Sequence, residues 1–497
     1  SQMVLNLPTK LLLQAAPQIN IQLSHHDKIV RSFVHNLIFD LLEVHYHDLI
    51  FSLLVLKHSK NTARARAAGL IIERLHVKLP DVFNEAQLIR SSLLRAAVTW
   101  NEKINHRIQD ASEHYQRKNY DQFVSILYSI VQMVSKPSCE LHYQFKKQYL
   151  KSITHLEQIL KLYTPKRVNR NCISQLVEWC VEMQESVSEE LKRTKTIQLS
   201  AISSELASKD NFLIAVFGTY RPNKPVNRIR YFVGQLFVYM SKQQPKDVVI
   251  KGIDGNFYQY LLKGHEDLRL DERIMQLFRM INSLMMKESS FLYDESIETI
   301  SVIPLSMSHG LVQWAVGTDT IRSVIEQYRK MHHKDTMEEY ALADEFGDGA
   351  NYNYLLPIQK TQILEKIFQI VPDSDLSNFM WLKAPNVDVW LKQVSTYSIS
   401  TAISSIVGYI IGLGDRHPSN LLIDRNTGKI VHIDFGDCFE RASLRKYLPE
   451  TVPFRLTRMM VRALGPGGVE GIFKTAFINM SSLLRANKQV LLNVISI

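Results

Sequence analysis

One segment in the carboxyl-terminal part of the chain combines residue types that could do chemistry. Its first motif is Gly-Leu-Gly-Asp415-Arg-His-Pro-Ser-Asn420, and its second is Ile-Asp434-Phe-Gly. Asp415 and Asn420 have the spacing at which phosphotransferases place a base that orients the acceptor hydroxyl and an amide that binds a metal. Asp434 fits a carboxylate that holds Mg²⁺ against phosphates. Because phosphoryl transfer needs positioning and charge neutralisation, the pattern predicts a phosphotransferase whose two aspartates divide these tasks.

A β-hairpin is predicted between the two motifs. Leu421–Ile423 and Lys429–Ile433 are short apolar runs, and the residues between them, Asp-Arg-Asn-Thr-Gly, are typical of a turn. Such a hairpin would bring Asn420 and Asp434 to neighbouring strand ends. Either motif alone would more often be a chance match, but both motifs in order, joined by a hairpin, favour a catalytic site.

The phosphates of a nucleotide also need a cation. Lys263 ends an apolar run and precedes a charged helix start, where Glu266 or Asp271 could hold its ammonium group. The alternative is an ordinary surface lysine beside a helix cap. We expect Lys263 to bind phosphates.

The loop that would cover the phosphates is less clear. The sequence has no Gly-x-Gly-x-x-Gly; the turn over residues 239–245 instead contains Ser241, whose hydroxyl could join backbone amides in binding phosphate oxygens. Trp314 could form an aromatic wall for adenine, although an isolated tryptophan is more often part of a core.

Bulk properties restrict the class of protein. The 497 residues are enough for about three domains, and 45% hydrophobic with 22% charged residues is typical of folded chains. The net charge of +10 comes from scattered basic residues without interleaved aromatics, so nucleic-acid binding is not expected. We expect no transmembrane segment and no signal peptide, and the two ends look like cuts in a longer protein. The four cysteines show neither zinc spacing nor a disulfide pattern, which fits a reducing compartment.

The periodicity of apolar residues changes along the chain. Helical spacing dominates residues 11–191, and Pro80 separates two helical blocks. Short strand-like runs then predict an antiparallel sheet with one helix, at about Asp271–Met286, before helical patterns return from Trp314. This predicts an α+β fold, in which a small sheet lobe precedes a larger helical lobe. The predicted strands are Phe212–Val216, Leu236–Tyr239, Asp247–Ile250, Phe257–Leu262 and Thr299–Ile303.

Taken together, the motifs resemble those of the phosphatidylinositol 3-kinase-related protein kinases, and within them the target of rapamycin (TOR) branch. The segments that carry the resemblance are Gly412–Asn420, Val431–Glu440, Val452–Arg458, Leu261–Arg269, Gly218–Pro222 and Ser59–Arg64. The resemblance implies an α+β bilobal kinase preceded by helical parts. Its implied domains are the end of the FAT helical repeats (1–80), a degenerate four-helix FKBP-rapamycin-binding module (81–193), a kinase N-lobe (194–313) and a kinase C-lobe (314–497), with the FATC segment absent.

The resemblance also implies roles for individual residues. Asp415 would be the catalytic aspartate, and His417 would stabilise the transferred charge. Asn420 and Asp434 would be metal ligands. The cofactors would be ATP and two Mg²⁺ ions, for which Mn²⁺ can substitute. The nucleotide-binding residues would be Lys263 with Glu266 and Asp271, the adenine wall of Leu261, Val312, Trp314, Ala315, Leu422 and Ile433, and the phosphate loop Val238–Gln244 with Ser241.

Partners follow from the same resemblance. We expect protein substrates, a WD-repeat propeller bound to the insertion 329–360, and a larger TOR-type complex. A cytoplasmic protein is implied, which partners can recruit to endomembranes and which can also enter the nucleus.

Rapamycin carried by its immunophilin is expected to bind weakly or not at all. In the family it lies between the first and last helices of the module, here Ile104–Lys118 and about Asn171–Leu191. Trp179 could restore the pocket only if the alignment were out of register. Aromatic positions of the family are taken here by Gln116, Val177, Val181 and Gln184.

Three rival functions remain open. A DNA-damage kinase of the same family is favoured by the tail Leu464–Phe473 but disfavoured by the residues after Asp415 and Asp434. A phosphatidylinositol lipid kinase would need a dense basic cluster in residues 434–453, which instead mix both signs of charge. An inactive scaffold would lack the metal aspartate or the catalytic loop, and this sequence has both.

Overall fold

The computed structural model describes residues 7–163, 170–241, 243–288, 291, 295–336, 338–346, 354–445 and 449–495. The chain divides into two compact units. The first contains residues 1–272 and 301–314, and the second contains residues 273–300 and 315–497. Helices and antiparallel sheets occur together, so the predicted α+β class is confirmed.

The first unit contains one sheet and twelve α-helices among its described residues. Their bounds are α1 Thr9–Gln14, α2 Ala16–Ile21, α3 Lys28–Leu56, α4 Thr62–Lys78, α5 Pro80–Ala97, α6 Trp100–Gln116, α7 Tyr120–Val134, α8 Glu140–Gln148, α9 Leu150–Lys161, α10 Arg170–Arg193, α11 Leu199–Ile202 and α12 Ser204–Ser208. The strands are β1 Thr196–Gln198, β2 Ile229–Phe232, β3 Gln235–Val238, β4 Lys246–Gly252, β5 Phe257–Gly264, β6 Val302–Pro304 and β7 His309–Gln313. Their order is β1-β3-β4-β5-β7-β6, with β2 also paired to β4, and every pair is antiparallel.

The second unit is mostly helical. Helix α13, Arg269–Met285, begins in the first unit and continues into the second. The remaining elements are β8 Thr318–Thr320, α14 Ile321–Met331, α15 Glu338–Phe346, α16 Pro357–Ile370, α17 Asp375–Lys383, α18 Val387–Ile410, β9 Leu421–Asp424, β10 Ile430–His432, α19 Arg458–Ala463, α20 Ile472–Ala486 and α21 Lys488–Ile495. Among the described residues, no helix combines the length and apolarity needed to cross a bilayer.

The long helices α3, α4 and α5 share one hydrophobic core with the sheet of the first unit. Phe51 on α3 packs edge-on against Phe217, with ring centroids 5.3 Å apart. Tyr260 on β5 donates its hydroxyl hydrogen to the carbonyl oxygen of Phe217 at 2.7 Å. The helical block and the sheet therefore form one packed body.

The prediction of a strand at Phe212–Val216 is wrong. This buried run forms only an isolated bridge, at Ala215, because its backbone pairing with residues 227–230 is irregular. Ile229 accepts the N–H of Phe212 at 2.8 Å and donates its own N–H to the carbonyl oxygen of Ile214 at 2.9 Å. Glu85 accepts the backbone N–H of Leu213 at 2.7 Å, and His47 Nδ1 accepts that of Ala215 at 3.2 Å. One edge of the run is therefore bonded irregularly to residues 227–230 and the other edge to helix side chains, so no regular strand forms. The last predicted strand, Thr299–Ile303, is shifted and shortened to Val302–Pro304.

Helices α6 to α10 form a bundle with its own core. The bundle begins after α5 and not at the predicted residue 81, because α5 packs in the core shared with the sheet. Its first helix begins at Trp100, where Thr99 and Glu102 form a reciprocal capping box. The last helix, predicted at about Asn171–Leu191, spans Arg170–Arg193.

The hairpin of β9 and β10 is fixed to helix α18 in the second unit. The backbone N–H of Ile430 donates to the hydroxyl of Ser400 at 2.9 Å, and Gln393 Nε2 donates to the carbonyl oxygen of Asn426 at 3.0 Å. A Cβ at Gly428, where φ is +73°, would lie 2.8 Å from the carbonyl oxygen of Gln393. The turn thus sits directly on the helix, which fixes the hairpin and the loops at its two ends.

Candidate active site

The predicted catalytic loop, Asp415–Asn420, links helix α18 to strand β9 in the second unit. Asn420 is buried, and its Nδ2 donates to the carbonyl oxygen of Asp415 at 2.9 Å. The backbone N–H of Ile433 donates to the carbonyl oxygen of Asn420 at 3.2 Å. The hairpin register pairs His432 with Leu421, so the residues that follow β10 lie beside the residues that precede β9. The structure therefore brings Asp434 next to the catalytic loop.

Arg416 fastens these two segments together, and the sequence reasoning did not identify it. Its side chain is buried and donates to the carbonyl oxygen of Gly414 at 2.8 Å, to that of Ile433 at 2.7 Å and to that of Asp434. Burial lowers the pKa of the guanidinium, and the carboxylate of Asp434 opposes that shift. The available signal was a long cation placed directly between the two polar residues Asp415 and His417.

Both aspartates have a backbone conformation that non-glycine residues seldom adopt. The φ angles of Asp415 and Asp434 are 58° and 62°. Such conformations persist when the surrounding contacts enforce them. Glu450, a second residue that the sequence reasoning missed, accepts the backbone N–H of Asp415 at 2.9 and 3.1 Å. Arg416 and Glu450 together therefore hold the two carboxylates at fixed places in the loop.

His417 is exposed, and its tautomer follows from one hydrogen bond. Its Nδ1 accepts the backbone N–H of Ser419 at 3.2 Å, which puts the proton of a neutral ring on Nε2. Nε2–H is then a donor that can serve an anionic oxygen. This geometry suits the predicted role of stabilising transferred charge.

The residues suggested as metal ligands have suitable chemistry for Mg²⁺. Asp434 has an exposed carboxylate, one oxygen of which accepts the backbone N–H of Gly436 at 3.4 Å. Asn420 donates from Nδ2 to Asp415, which leaves its amide oxygen to bind a cation. Mg²⁺ prefers oxygen ligands and is commonly held by one or two protein groups plus phosphates. Within the described ranges, no cluster of three or more His, Cys, Asp or Glu side chains could hold a metal without such additional ligands.

The predicted nucleotide residues of the first unit lie on one face of its sheet. In the antiparallel register Leu261 is opposite Val312 and Lys263 is opposite Gly310, so alternation along the strands places Leu261, Lys263 and Val312 on the same half-buried face. Trp314 follows β7, and its backbone N–H donates to the carbonyl oxygen of Gln259 at 2.9 Å.

The predicted phosphate loop is a tight turn between β3 and β4. Ser241 is exposed, its N–H donates to the carbonyl oxygen of Tyr239 at 2.9 Å, and its own carbonyl accepts from Gln244 at 3.2 Å. The ring of Tyr239 stacks on Trp314 with centroids 5.6 Å apart. Lys242, inside the predicted loop, lies outside the described residues.

Lys263 pairs with Glu266, whose Oε2 is 3.0 Å from its Nζ. The sequence had left Glu266 and Asp271 as alternative partners for Lys263. Asp271 is buried in the first turn of α13, where the partial positive charge of the helix N-terminus stabilises a carboxylate. The side chain of Lys263 is thus held at the end of its strand.

The remaining adenine-wall residues lie in the second unit. Leu422 is buried on β9, where it is paired with Val431 on one side and Thr320 on the other. Ile433 directly follows β10 and is partly buried. The carbonyl oxygen of Ala315 accepts the hydroxyl hydrogen of Thr318 at 2.7 Å.

Two family models match this chain. The model described as "Phosphatidylinositol 3- and 4-kinase" matches residues 257–497, and the model described as "FKBP12-rapamycin binding domain" matches residues 92–189. The first range includes Lys263 and the whole catalytic loop, and the second covers most of the bundle.

Curated relatives are similar over nearly the whole chain. The "Serine/threonine-protein kinase TOR" of Oryza sativa subsp. japonica is 35% identical over 479 residues, which is 96% of this chain and 19% of that protein. The "Serine/threonine-protein kinase mTor" of Drosophila melanogaster is 33% identical over 486 residues, 97% of this chain and 20% of that protein. The chain thus spans about a fifth of the length of these relatives. The predicted resemblance is confirmed.

Solved structures show the same fold. The structure titled "FAT and kinase domain of CtTel1" matches 99% of this chain and 29% of its own chain, with a TM-score of 0.67 and 18% identity. The "open conformation of CtTel1" matches equally well, with a TM-score of 0.67 and 18% identity over 99% of this chain and 16% of that one. At this identity the similarity concerns the fold alone.

Replacing Arg416 should disable the site while the protein stays folded. Arg416→Met removes the donors to Ile433 and Asp434, and Arg416→Lys keeps the charge but cannot reach several carbonyls at once. We expect ATP-dependent phosphorylation to fall by about 10²-fold or more in both variants, because misplacing reacting groups by about 1 Å has effects of this size. Arg425→Met, which removes an exposed arginine of the same hairpin, is the control and should stay within about twofold. Near-normal turnover in Arg416→Met would contradict this prediction.

Proposed function

We propose, on the premise that this chain belongs to the phosphatidylinositol 3-kinase-related protein kinases, that it carries the catalytic part of a TOR-type protein kinase. It transfers phosphate from ATP to serine or threonine hydroxyls of proteins that act in growth and nutrient signalling. The observation that carries this proposal is the arrangement of Asp415, Asn420 and Asp434 around the buried guanidinium of Arg416.

Each residue has a role that fits its environment. Asp415 accepts a hydrogen bond from the substrate hydroxyl and orients it, and His417 donates from Nε2 to the phosphate that is transferred. Lys263, held by Glu266, binds phosphate oxygens. Asn420 and Asp434 bind two Mg²⁺ ions, and Mn²⁺ can substitute for them. The bound ions neutralise the charge of the phosphates.

The charges in residues 434–453, the activation segment, favour protein over lipid substrates. Arg445 pairs with Asp437 and lies 3.5 Å from Glu450. Arg441 donates to the carbonyl oxygen of Gly436 at 3.2 Å. A headgroup with several phosphates needs basic side chains that are not already committed to carboxylates. Lys446, the other basic residue considered in the sequence, lies outside the described residues.

Asp415→Asn and Asp434→Asn should each abolish protein phosphorylation without unfolding the chain. Each substitution removes one charge from a polar site and leaves core packing intact, and losses of positioned groups are typically on the order of 10² to 10⁴ in rate. Asp388→Asn, which removes an exposed carboxylate at the start of α18, is the matched control. The assay offers a serine/threonine peptide and phosphatidylinositol vesicles in parallel. Normal turnover of either catalytic variant, or phosphorylation of the lipid alone, would refute the proposal.

We also propose that a WD-repeat propeller binds the insertion 329–360, and that the protein acts in a larger TOR-type complex. The insertion is anchored by Arg329, which is buried and bonds to Asp375 at 2.8 Å and to both carboxylate oxygens of Glu339 at 2.5 and 2.6 Å. Its exposed apolar side chains include a group near its carboxyl-terminal end that suits a partner, namely Tyr354, Leu356 and Ile358. Residues 337 and 347–353 of the insertion lie outside the described residues.

Substituting those exposed side chains tests docking better than a deletion. Removing residues 333–350 would take away Glu339 and Lys334, which bond to the buried Arg329–Asp375 pair, so the deletion would disturb the fold as well as docking. The triple variant with serine at Tyr354, Leu356 and Ile358 should lose propeller copurification and keep its thermal stability. Val387→Ser with Leu391→Ser, an equally exposed apolar pair on α18, is the control. Copurification of the triple variant at the normal level would count against this docking surface.

Weak or absent rapamycin binding is proposed from the surface of the bundle. Val181 is exposed and Val177 half-buried on α10, and Gln116 is exposed at the end of α6. Trp179 supports the predicted register: it is buried in the bundle core, and its Nε1 donates to the carbonyl and hydroxyl oxygens of Ser152 at 2.9 Å. A tryptophan with these contacts supplies no aromatic surface to a ligand.

Titration of the full chain with immunophilin and rapamycin should give no ternary complex at nanomolar concentrations. Each aromatic side chain buried against a ligand contributes up to a few kcal/mol, so losing several weakens binding by orders of magnitude. A variant with Gln116→Phe, Val177→Trp and Val181→Phe should bind more tightly. Nanomolar assembly of the unsubstituted chain would show that the assigned register is wrong.

For location, we propose a cytoplasmic protein that its partners recruit to endomembranes and that can also enter the nucleus. The support is the similarity to TOR kinases. Fluorescence imaging of the tagged full-length protein would test it.

A further inference from the structure

A buried ion pair joins the helical bundle to the sheet. The side chain of Lys246, at the start of β4, is 1% exposed, and its Nζ donates to Glu102 Oε1 at 2.5 Å and to the carbonyl oxygen of Ala97 at 2.9 Å. Glu102 uses its second oxygen to accept the N–H and hydroxyl of Thr99 at 2.6 and 2.9 Å. One carboxylate therefore both caps helix α6 and binds a lysine of the sheet.

A second contact lies one strand further along. A Cβ at Gly264 would come within 2.4 Å of Val98 Cγ2 and 3.0 Å of the carbonyl oxygen of Ala97. Gly264 directly follows Lys263, and Lys246 stands directly after the turn of the predicted phosphate loop. Lys246 is also paired with Leu262 in the β4–β5 register. Residues 97–102 therefore contact both strands at the ends that carry nucleotide-binding residues.

Packing beside the ion pair is incomplete, so the pair is a main direct contact between the bundle and the start of β4. A cavity of about 120 Å³ lies beside it, lined among others by Trp100, Gln144, Val238 and Gln244. Such a cavity removes close packing at this point between the bundle and the β3–β4 hairpin. Burial lowers the pKa of the Lys246 ammonium, and the carboxylate of Glu102 opposes that shift. The ammonium group is bonded to two specific oxygens, which defines the position of the Lys246 side chain. An apolar contact of equal size would not define that position as narrowly.

We propose that Lys246 and Glu102 are positioning residues for the phosphates of ATP. By joining residues 97–102 to the two strands, they set the phosphate loop and Lys263 relative to each other. ATP affinity therefore depends on the position of the bundle relative to strands β4 and β5. This inference rests on the proposed kinase function.

The test compares ATP with adenosine, which has the base but no phosphates. In Lys246→Met we expect the Kd and KM for ATP to rise by about 10- to 100-fold, because a misplaced binding group has effects of this size. The Kd for adenosine should stay within about twofold, because Leu261 and Val312 keep their places in the sheet. The kcat at saturating ATP should change little, since the catalytic loop is untouched.

Matched variants separate positioning from stability. Lys246→Arg keeps the charge and directed donors, so it should recover most of the ATP affinity. Lys251→Met, at the other end of β4, should leave both affinities unchanged. Glu102→Gln removes the charge and keeps an acceptor for the cap of α6. It should also weaken ATP binding while adenosine binding stays unchanged. This variant replaces Lys246→Met if Lys246→Met does not fold. Glu113→Gln, on the exposed side of α6, is its control.

The outcomes are distinct. Unchanged ATP affinity in folded Lys246→Met or Glu102→Gln overturns the inference. A parallel fall in ATP affinity, adenosine affinity and melting temperature also overturns it, because the pair would then serve stability alone. Failure of the kinase proposal looks different: the unsubstituted chain would bind no ATP and transfer no phosphate.

Discussion

The geometry of the candidate site depends on the guanidinium of Arg416. Asp415 and Asp434 have positive φ angles, a conformation that costs a non-glycine residue roughly 1–2 kcal/mol. Such backbone holds its shape only if something fixes its carbonyl and amide groups. Arg416 binds carbonyls on both segments, and Glu450 binds the amide of Asp415. The two aspartates are therefore placed mainly by main-chain hydrogen bonds. Their carboxylates make only long contacts, from Asp415 Oδ1 to Arg445 at 4.0 Å and from Asp434 Oδ1 to the N–H of Gly436 at 3.4 Å.

Support for this arrangement extends outward through the second unit. Phe435 is buried beside the guanidinium, with the Arg416 Cζ 5.8 Å from its ring centroid, and packs edge-on against Phe278 at 5.4 Å. The hairpin that follows the catalytic loop is held by Ser400 and Gln393 of α18. A long, buried helix thus carries a short, irregular loop. Rigid elements commonly position irregular functional segments in this way.

The sequence was informative where the signal is local. The turn residues between β9 and β10 predicted the hairpin, and the spacing of Asp415 and Asn420 singled out the catalytic loop. Contacts between distant residues could not be read in the same way. Glu450 is 35 residues from the amide that it binds. The run Phe212–Val216 has strand-like composition, yet its pairing with residues 227–230 is irregular and helix side chains accept the N–H groups of its other edge.

Glu102, at the start of the bundle, makes one contact that the sequence predicts and another that it does not. Thr99 and Glu102 form a capping pattern that the sequence displays, and it could have placed the helix start at Trp100 instead of Ile104. The pairing of Glu102 with Lys246 joins residues 144 positions apart, and only the folded chain reveals it. Local capping can be predicted from sequence, whereas the second use of the same carboxylate cannot.

The core shared by α3, α4, α5 and the sheet also has an evolutionary consequence. Because Phe51 and Phe217 belong to one packed interior, a change in volume on the helical side must be matched on the sheet side. The helical block and the sheet are then expected to change together. Exchange of the sheet between distant homologues, or gene fusion at their junction, would break that interior, whereas the bundle, which has its own core, can diverge more freely.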